Sequence, residues 1–161
     1  MTESTKENDR SLRGHLVWQL SGGNAHITFN DFFKDFPAKK AGEHVEGLPY
    51  TAWQVLEHMR IAQWDILEFC RRAEHVSPKW PEGYWPNREV VGDSDSWKQT
   101  VERFRSDLKE MQDLISNPSI DLYARIPQGS GQTILREALL VADHNAYHLG
   151  ALLVISRILK K

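Results

Sequence analysis

The residues best suited to chemistry are two histidines four positions apart, His144 and His148, in a long apolar stretch near the end of the sequence. Positions four apart lie one above the other on the same face of an α-helix, so both imidazoles can point at one place. The same face carries apolar residues, including Val141 and Leu152, which predicts that the pair points into the protein. Buried neutral imidazoles need polar partners, and a divalent cation would satisfy both if a third ligand came from elsewhere.

The candidate third ligand is His58. A capping box, in which Thr51 caps a helix and Gln54 reciprocates three residues later, predicts that a helix begins at residue 52. His58 lies on the apolar face of this helix, between Val55 and Ala62, and the apolar faces of two helices meet in a bundle. Three protein ligands leave positions for water or substrate, as in catalytic metal sites, whereas structural zinc is usually closed by four ligands. The alternative interpretation is three imidazoles hydrogen-bonded in a core without metal.

The other polar residues are weaker candidates for this site. Cys70, the only cysteine, follows His58 by twelve residues, about 18 Å along a helix, and is interpreted as a small core residue. Asp65 and Glu137 each lie two turns from a proposed ligand, at roughly 10 Å, and would act only through an intermediate partner. No general base is assigned. The remaining histidines are interpreted as structural or solvated: His15, His26, His44 and His75.

The apolar periodicity predicts an all-α protein, a four-helix bundle with a short extra helix after the first bundle helix. Gly22-Gly23 ends the first helix, proline and glycine separate the others, and no alternation is long enough for a sheet. We expect a single domain over residues 1–161, with residues 1–8 disordered. The principal helices are predicted over about 8–20, 52–73, 94–116 and 133–160, and the short helix within 24–36.

Composition limits the classes of function. The formal net charge is −2 and the pI is near 6.4, so no basic field attracts nucleic acid or an anionic membrane. The polar start, and the lack of a run of about 18 apolar residues, argue against a signal peptide and a transmembrane helix. A single cysteine is typical of a reducing compartment. We therefore expect a cytoplasmic protein with neither nucleic acid nor membrane as a partner.

The loop over residues 74–92 is rich in proline and aromatic residues. Its three prolines exclude a regular helix. Its rings, Trp80, Tyr84 and Trp85, either cover an apolar end of the bundle or line a ligand site. We place a candidate substrate pocket between the proposed metal and these three rings.

Three segments together resemble the DinB/YfiT-like superfamily of small bacterial four-helix-bundle proteins. They are LPYTAWQVLEHMRIAQW at 48–64, Tyr-Trp-Pro at 84–86 and ADHNAYHLG at 142–150. The resemblance implies one divalent metal, held by a histidine of the second bundle helix and an HxxxH pair of the last; these correspond to His58, His144 and His148. It also implies zinc or nickel as the usual metal and a homodimer as a common assembly.

The function that the resemblance favours is a thiol-dependent S-transferase, acting on a small-molecule substrate with a low-molecular-weight thiol. Two alternatives stay open. One is a metal-dependent hydrolase, in which the metal lowers the pKa of water toward about 7. The other is a non-enzymatic binding module, in which the metal only ties two helices together. All-nitrogen ligation suits zinc, nickel, copper or iron, and manganese is also compatible, so the ligand type alone does not select the metal.

Overall fold

The computed structural model of the chain describes residues 3–23 and 25–161. Five α-helices follow one another, and short 3-10 turns lie at 38–40 and 82–84. The described residues contain no β-strand, only two isolated bridges, so the prediction of an all-α bundle with a short extra helix is confirmed. The helices are α1 (Glu3–Ser21), α2 (Phe29–Asp35), α3 (Ala52–Arg71), α4 (Ser94–Ser116) and α5 (Ile134–Leu159).

The four long helices pack in the cyclic order α1, α4, α3, α5. Helix α3 makes most of its helix contacts with α4 and α5, and α1 packs against the same two helices. Helix α2 covers α4 through aromatic side chains. Because α3 and α5 are neighbours in this order, His58 of α3 faces the two histidines of α5.

Side-chain caps hold the start of the two helices that carry these histidines. The Thr51 hydroxyl accepts from the backbone N–H of Gln54 at 3.2 Å, and the Gln54 side chain accepts from the N–H of Thr51 at 2.9 Å. This is the predicted capping box. Thr133 caps α5 by accepting from the N–H of Arg136. Each cap satisfies an N–H group that the helical hydrogen-bond pattern leaves without a partner, and so fixes the first turn.

Helix α1 begins earlier than the sequence predicted. It starts at Glu3, so the expectation of disorder is wrong for residues 3–8, and residues 1–2 lie outside the described residues. The first turns are exposed and carry no apolar periodicity, but they contain good helix formers, and Glu3 lies at the positive end of the helix dipole. The predicted end is confirmed, since Gly22 and Gly23 adopt φ angles of 73° and 86° that favour glycine.

A cluster of six buried aromatic rings joins the α2 segment to α4, and we call it the aromatic core. Phe36 stacks on Trp97 with 4.0 Å between centroids. Phe104 packs against Phe29 at 5.2 Å and Phe33 at 5.6 Å. Such ring pairs stabilise the fold beyond the burial of their area. The aromatic core consists of Phe29, Phe32, Phe33, Phe36, Trp97 and Phe104.

Helix α5 is apolar on two sides. One side packs into the bundle through residues such as Leu149 and Leu152, which are almost inaccessible to solvent. The opposite side exposes other large apolar residues, including Leu139 and Val154. By length and composition alone, α5 therefore meets the criterion for a helix that could cross a membrane. This composition reflects apolar residues on both sides of a bundle helix.

Candidate metal centre

The three predicted ligand histidines converge at the contact between α3 and α5. The Nε2 atom of His58 lies 3.1 Å from Nε2 of His144 and 3.1 Å from Nε2 of His148. All three nitrogen atoms lie within 4.8 Å of one another. His58 is only 2% exposed, whereas His144 and His148 are partly exposed. The imidazole from α3 is therefore shielded from solvent, whereas solvent reaches the cluster beside the two imidazoles from α5.

A backbone carbonyl fixes the position of the hydrogen on His58. The Nδ1 atom of His58 lies 2.7 Å from the carbonyl oxygen of Tyr84. Because a carbonyl only accepts, Nδ1 carries the hydrogen, and the lone pair of neutral His58 is on Nε2, directed at the other two imidazoles. Metal-binding histidines typically donate their second ring N–H to such an oxygen.

The nitrogen positions fit a shared cation better than a set of hydrogen bonds. The single lone pair on Nε2 of neutral His58 can accept one hydrogen bond, yet two nitrogen atoms lie at 3.1 Å from it. Tetrahedral ligands at the Zn–N distance of about 2.0–2.1 Å are separated from one another by about 3.3 Å. The spacing of the three donor atoms is thus compatible with a divalent metal ion.

Burial keeps these imidazoles neutral. Burial, and then the neighbouring His58, lower the pKa of His144 to about 4. The same two causes, burial and the adjacent histidines, lower the pKa of His148 to about 4. The pKa of His58 is also lowered by burial, against the effect of its hydrogen bond to the Tyr84 carbonyl. Neutral imidazole is the form that binds a metal ion, so at pH 7 the cluster is in the required state.

Two aromatic rings hold the ring of His58, and we call the three rings together the ring stack. Trp85 lies parallel to His58, with 3.9 Å between centroids and 1° between planes. Tyr50 in turn stacks on Trp85 at 4.0 Å and 14°. The ring stack sets the plane of the imidazole and therefore the direction of its Nε2 lone pair. Trp85, predicted to line a substrate pocket, lies against one of the proposed ligands.

Two buried amides fix the register of α5 against α3. The side chain of Asn145 donates to Gln63 Oε1 at 2.8 Å, and Gln63 donates to the backbone carbonyl of Phe104 at 2.8 Å. Asn145 and Gln63 are both almost fully buried. This chain of hydrogen bonds connects α5, α3 and α4 next to the histidines. The sequence analysis did not identify these two amides. They could have been found as polar residues at helix positions whose neighbours on the same face are apolar.

A cavity of about 440 Å³ opens beside His58 and His144. Apolar side chains of α3 and α5 form part of its wall. Trp80 and Tyr84 line it, so two of the three rings predicted for a substrate pocket lie beside the histidine cluster. Trp85 does not contribute to this wall; it borders a separate groove on the outside of the loop.

Two buried carboxylates, Asp65 and Glu137, also line the cavity. Asp65 accepts hydrogen bonds from the Tyr84 hydroxyl at 2.5 Å and from Nε2 of His75 at 2.7 Å. Glu137 pairs with the arginine that precedes it, at 2.7 Å. Burial, and then the contact with Asp65, raises the pKa of Tyr84 to about 12, so its hydroxyl remains a donor. Tyr84 therefore connects Asp65 with His58. Its hydroxyl donates to Asp65, and its backbone carbonyl accepts from His58.

His75 and Cys70 lie outside the histidine cluster. His75, predicted to be structural or solvated, is partly exposed as a residue, but its side chain is only 8% exposed and lies between Asp65 and the ring of Trp64. Its partner Asp65 lies within α3, whereas His75 follows the end of this helix. Helical periodicity therefore could not predict the contact between them. Burial, with a contribution from Glu137, raises the pKa of the Cys70 thiol to about 12. Cys70 is therefore protonated at neutral pH and packs against the apolar core, as predicted.

Comparison with known protein families assigns this chain to one of them. A search of curated proteins and a search of solved structures found no significant match. A sequence model of the DinB superfamily matches residues 25–152, a span that contains all three clustered histidines and the aromatic loop. Because the match covers most of the chain and the all-helical fold agrees with it, the protein belongs to the DinB superfamily.

Proposed function

We propose that His58, His144 and His148 hold one divalent metal ion and that the protein is a metal-dependent enzyme. The observation that carries this proposal is the convergence of three neutral imidazole nitrogens, with the Nδ1–H of His58 committed to a carbonyl. Three protein ligands leave coordination positions for a further ligand, as in catalytic sites. When bound, the ion would act as a Lewis acid towards a thiol or a water molecule. Zinc or nickel is proposed because the family resemblance favours these two metals, and both accept all-nitrogen ligands.

The reaction that we favour is thiol-dependent S-transfer. The sulfur of a low-molecular-weight thiol would bond to an electrophilic carbon of a small-molecule substrate, whose leaving group departs while the thiol loses its proton. The chain offers no reactive thiol of its own, because Cys70 is its only cysteine and the pKa of that thiol is about 12. A separate thiol molecule is therefore needed. A cavity of about 440 Å³ lies within the size range of small-molecule sites.

The residues around the cavity would position the reactants. Trp80 and Tyr84 offer apolar surface that would cover the substrate and exclude water. The ring stack and the Tyr84 carbonyl would keep the lone pair of His58 aimed at the centre of the cluster. A free thiol persists in a reducing compartment, and we accordingly propose the cytoplasm as the location.

Metal content of the native chain and two variants tests the metal site. On protein without a histidine tag, plasma mass spectrometry should find about one divalent ion per native chain and almost none in His148→Ala. His44→Ala, which removes an exposed histidine outside the cluster, should keep the ion. Circular dichroism should show equal helix content in all three. The proposal fails if native protein lacks metal and binds added zinc or nickel no better than His148→Ala does.

Turnover with and without thiol separates the candidate reactions. An S-transferase consumes an electrophilic substrate only when a thiol is present, and releases the thioether. The hydrolase alternative is favoured by the carboxylates of Asp65 and Glu137 in the cavity wall, which are suited to accept a proton from water, and it predicts turnover without thiol. A chain that binds metal, catalyses neither reaction and unfolds when chelated would be a metal-stabilised module.

A further inference from the structure

A chain of hydrogen bonds, which we call the amide relay, joins α4, α3 and α5 beside the histidine cluster. It runs from the backbone carbonyl of Phe104 through the side chain of Gln63 to that of Asn145, with 2.8 Å in each of its two hydrogen bonds. Gln63 and Asn145 are each only 1% exposed. Because both amides are buried, the protein has to supply partners for their polar atoms.

The carbonyl at the start of the amide relay fixes the direction of both hydrogen bonds. The carbonyl oxygen of Phe104 only accepts, so the nitrogen of the Gln63 amide faces it and the oxygen of Gln63 faces Asn145. The nitrogen of Asn145 therefore donates to that oxygen. The oxygen of Asn145 is left at the end of the relay, and it cannot exchange places with the nitrogen without breaking the chain of hydrogen bonds.

This oxygen, Oδ1 of Asn145, has no donor. It is buried and accepts no hydrogen bond of ordinary geometry from the described residues. Buried oxygen atoms in this state are rare in folded proteins. The neighbouring polar group is the imidazole of His144. Burial and His58 lower the pKa of His144, whereas the contact with the Asn145 side chain acts in the opposite direction. A neutral side chain raises the pKa of an imidazole by accepting from it, so the oxygen of Asn145 faces the ring.

His144 has one ring nitrogen left for this oxygen. Its Nε2 faces Nε2 of His58 at 3.1 Å, which leaves Nδ1. A neutral imidazole with its hydrogen on Nδ1 carries its lone pair on Nε2, and a metal ion at the centre of the cluster requires that form. His58 already has it, because its Nδ1 donates to the carbonyl of Tyr84. His144 therefore needs an acceptor for its Nδ1–H, and Asn145 has an acceptor without a donor.

We propose that Asn145 is a positioning residue for metal binding: its Oδ1 accepts from Nδ1–H of His144 and holds this imidazole in the tautomer and plane that direct Nε2 at the ion. The inference rests on the proposed metal site and adds the residue that orients a second of its three ligands. The acceptors of His58 and His144 are then both neutral, a backbone carbonyl and an amide. Neither contact compensates the positive charge of a divalent ion, as a carboxylate acceptor would.

Zinc affinity in three variants tests this role. Asn145→Leu replaces the amide by an apolar side chain of similar size, and should weaken zinc binding about 10–100-fold, as the loss of residues that orient metal ligands does. Asn145→Asp keeps an acceptor, and Gln63 can turn its amide to donate to it, so this variant should bind zinc at least as tightly as the native chain. Competition with a chromophoric chelator measures the affinity, and circular dichroism checks that each variant is folded.

Gln63→Met is the matched control. It breaks the amide relay and leaves the oxygen of Asn145 in place. Gln63→Met should therefore lower the resistance to urea, as Asn145→Leu does, and yet retain most of the affinity for zinc. A role of the two amides in packing alone predicts equal losses of affinity in both variants.

Nitrogen-15 NMR of His144 reports the hydrogen bond directly. In zinc-loaded native protein, the hydrogen on Nδ1 of His144 should resonate at low field and exchange slowly with water. In Asn145→Leu the same hydrogen should move to higher field and exchange faster. The native protein alone is sufficient for the first measurement, so a folding defect in Asn145→Leu does not prevent the test.

The outcomes separate this inference from the proposed function. A native chain that binds no zinc overturns both. Where the native chain binds zinc, four results overturn the role of Asn145 alone: native affinity in Asn145→Leu, equal losses in Asn145→Leu and Gln63→Met, an Asn145→Asp protein that binds as weakly as Asn145→Leu, or rapid exchange of the Nδ1 hydrogen of His144 in native protein.

Discussion

Two sets of aromatic rings in this protein are packed in different ways. In the aromatic core between α2 and α4, every ring is at most 8% exposed, and most pairs are tilted or edge to face. In the ring stack, Tyr50 and Trp85 are only partly buried, and the planes are almost parallel to one another and to His58. The aromatic core gains free energy from burial, whereas the ring stack restricts the orientation of one imidazole.

This difference predicts that the stability of the fold and the affinity for metal can be changed separately. Rings of the aromatic core do not touch the histidine cluster in the contacts described, so their loss should act on unfolding. Rings of the ring stack contact His58 directly or through one neighbour, so their loss should act on metal binding. Substitutions in the two regions test the separation.

The largest effect is expected for Phe104→Ala. Phe104 is fully buried, and its removal leaves a cavity against Phe29 and Phe33, so the free energy of unfolding should fall by about 3–5 kcal/mol. Urea unfolding followed by circular dichroism measures this change. The folded fraction should still hold about one metal ion per chain, because His58 keeps its contacts.

Tyr123→Ala is the control for this prediction, since Tyr123 is 65% exposed and its loss should change the free energy of unfolding by less than about 0.5 kcal/mol. A Phe104→Ala protein that kept its stability, or lost its metal while folded, would show that the two regions are coupled.

Helical positions in both regions were predictable from the sequence, and loop contacts were not. His58, His144 and His148 could be grouped because each shares a helix face with apolar residues, and helix geometry then orients it. The plane of His58 depends instead on Trp85, whose place follows from the path of the loop over 74–92. No periodicity encodes that path. The start of α1 at Glu3 escaped prediction for a related reason, since its exposed turns carry no apolar pattern.

The second largest effect is expected for Trp85→Leu. Losing the parallel ring frees the plane of His58, so affinity for metal should fall about 10–100-fold, as for other residues that orient metal ligands. Competition with a chromophoric chelator measures the affinity. Trp80→Leu is the matched control: it comes from the same loop, is 68% exposed and stacks on no histidine, so affinity should not change. Equal losses in both variants would mean that the loop as a whole, and not the ring stack, orients His58.

Dependence on pH gives a third test. The pKa values of His144 and His148, about 4 when folded, lie below the ordinary 6.5 of the unfolded chain. Between pH 6.5 and 4 the unfolded chain therefore binds more protons, and the free energy of unfolding of metal-free protein should decrease as the pH falls through this window. Urea unfolding at several pH values should show a weaker dependence for His148→Ala than for native protein.

The aromatic core supplies the control for this test, because Phe104 does not titrate. In Phe104→Ala the whole curve of unfolding free energy against pH should shift down by a constant amount and keep its slope. A native curve that is flat from pH 6.5 to 4 would mean that the imidazoles are not desolvated in the folded protein.

The smallest effect is expected for Tyr84→Phe, which removes the hydroxyl and keeps the carbonyl that accepts from His58. Asp65 loses one donor but retains His75, so the free energy of unfolding should fall by about 1–2 kcal/mol in urea titration. Affinity for metal should fall less than in Trp85→Leu, because the ring stack still holds the imidazole plane. A loss of affinity as large as that of Trp85→Leu would show that the contact between Tyr84 and Asp65 positions the carbonyl. The orientation of His58 would then depend on a buried polar network as much as on ring packing.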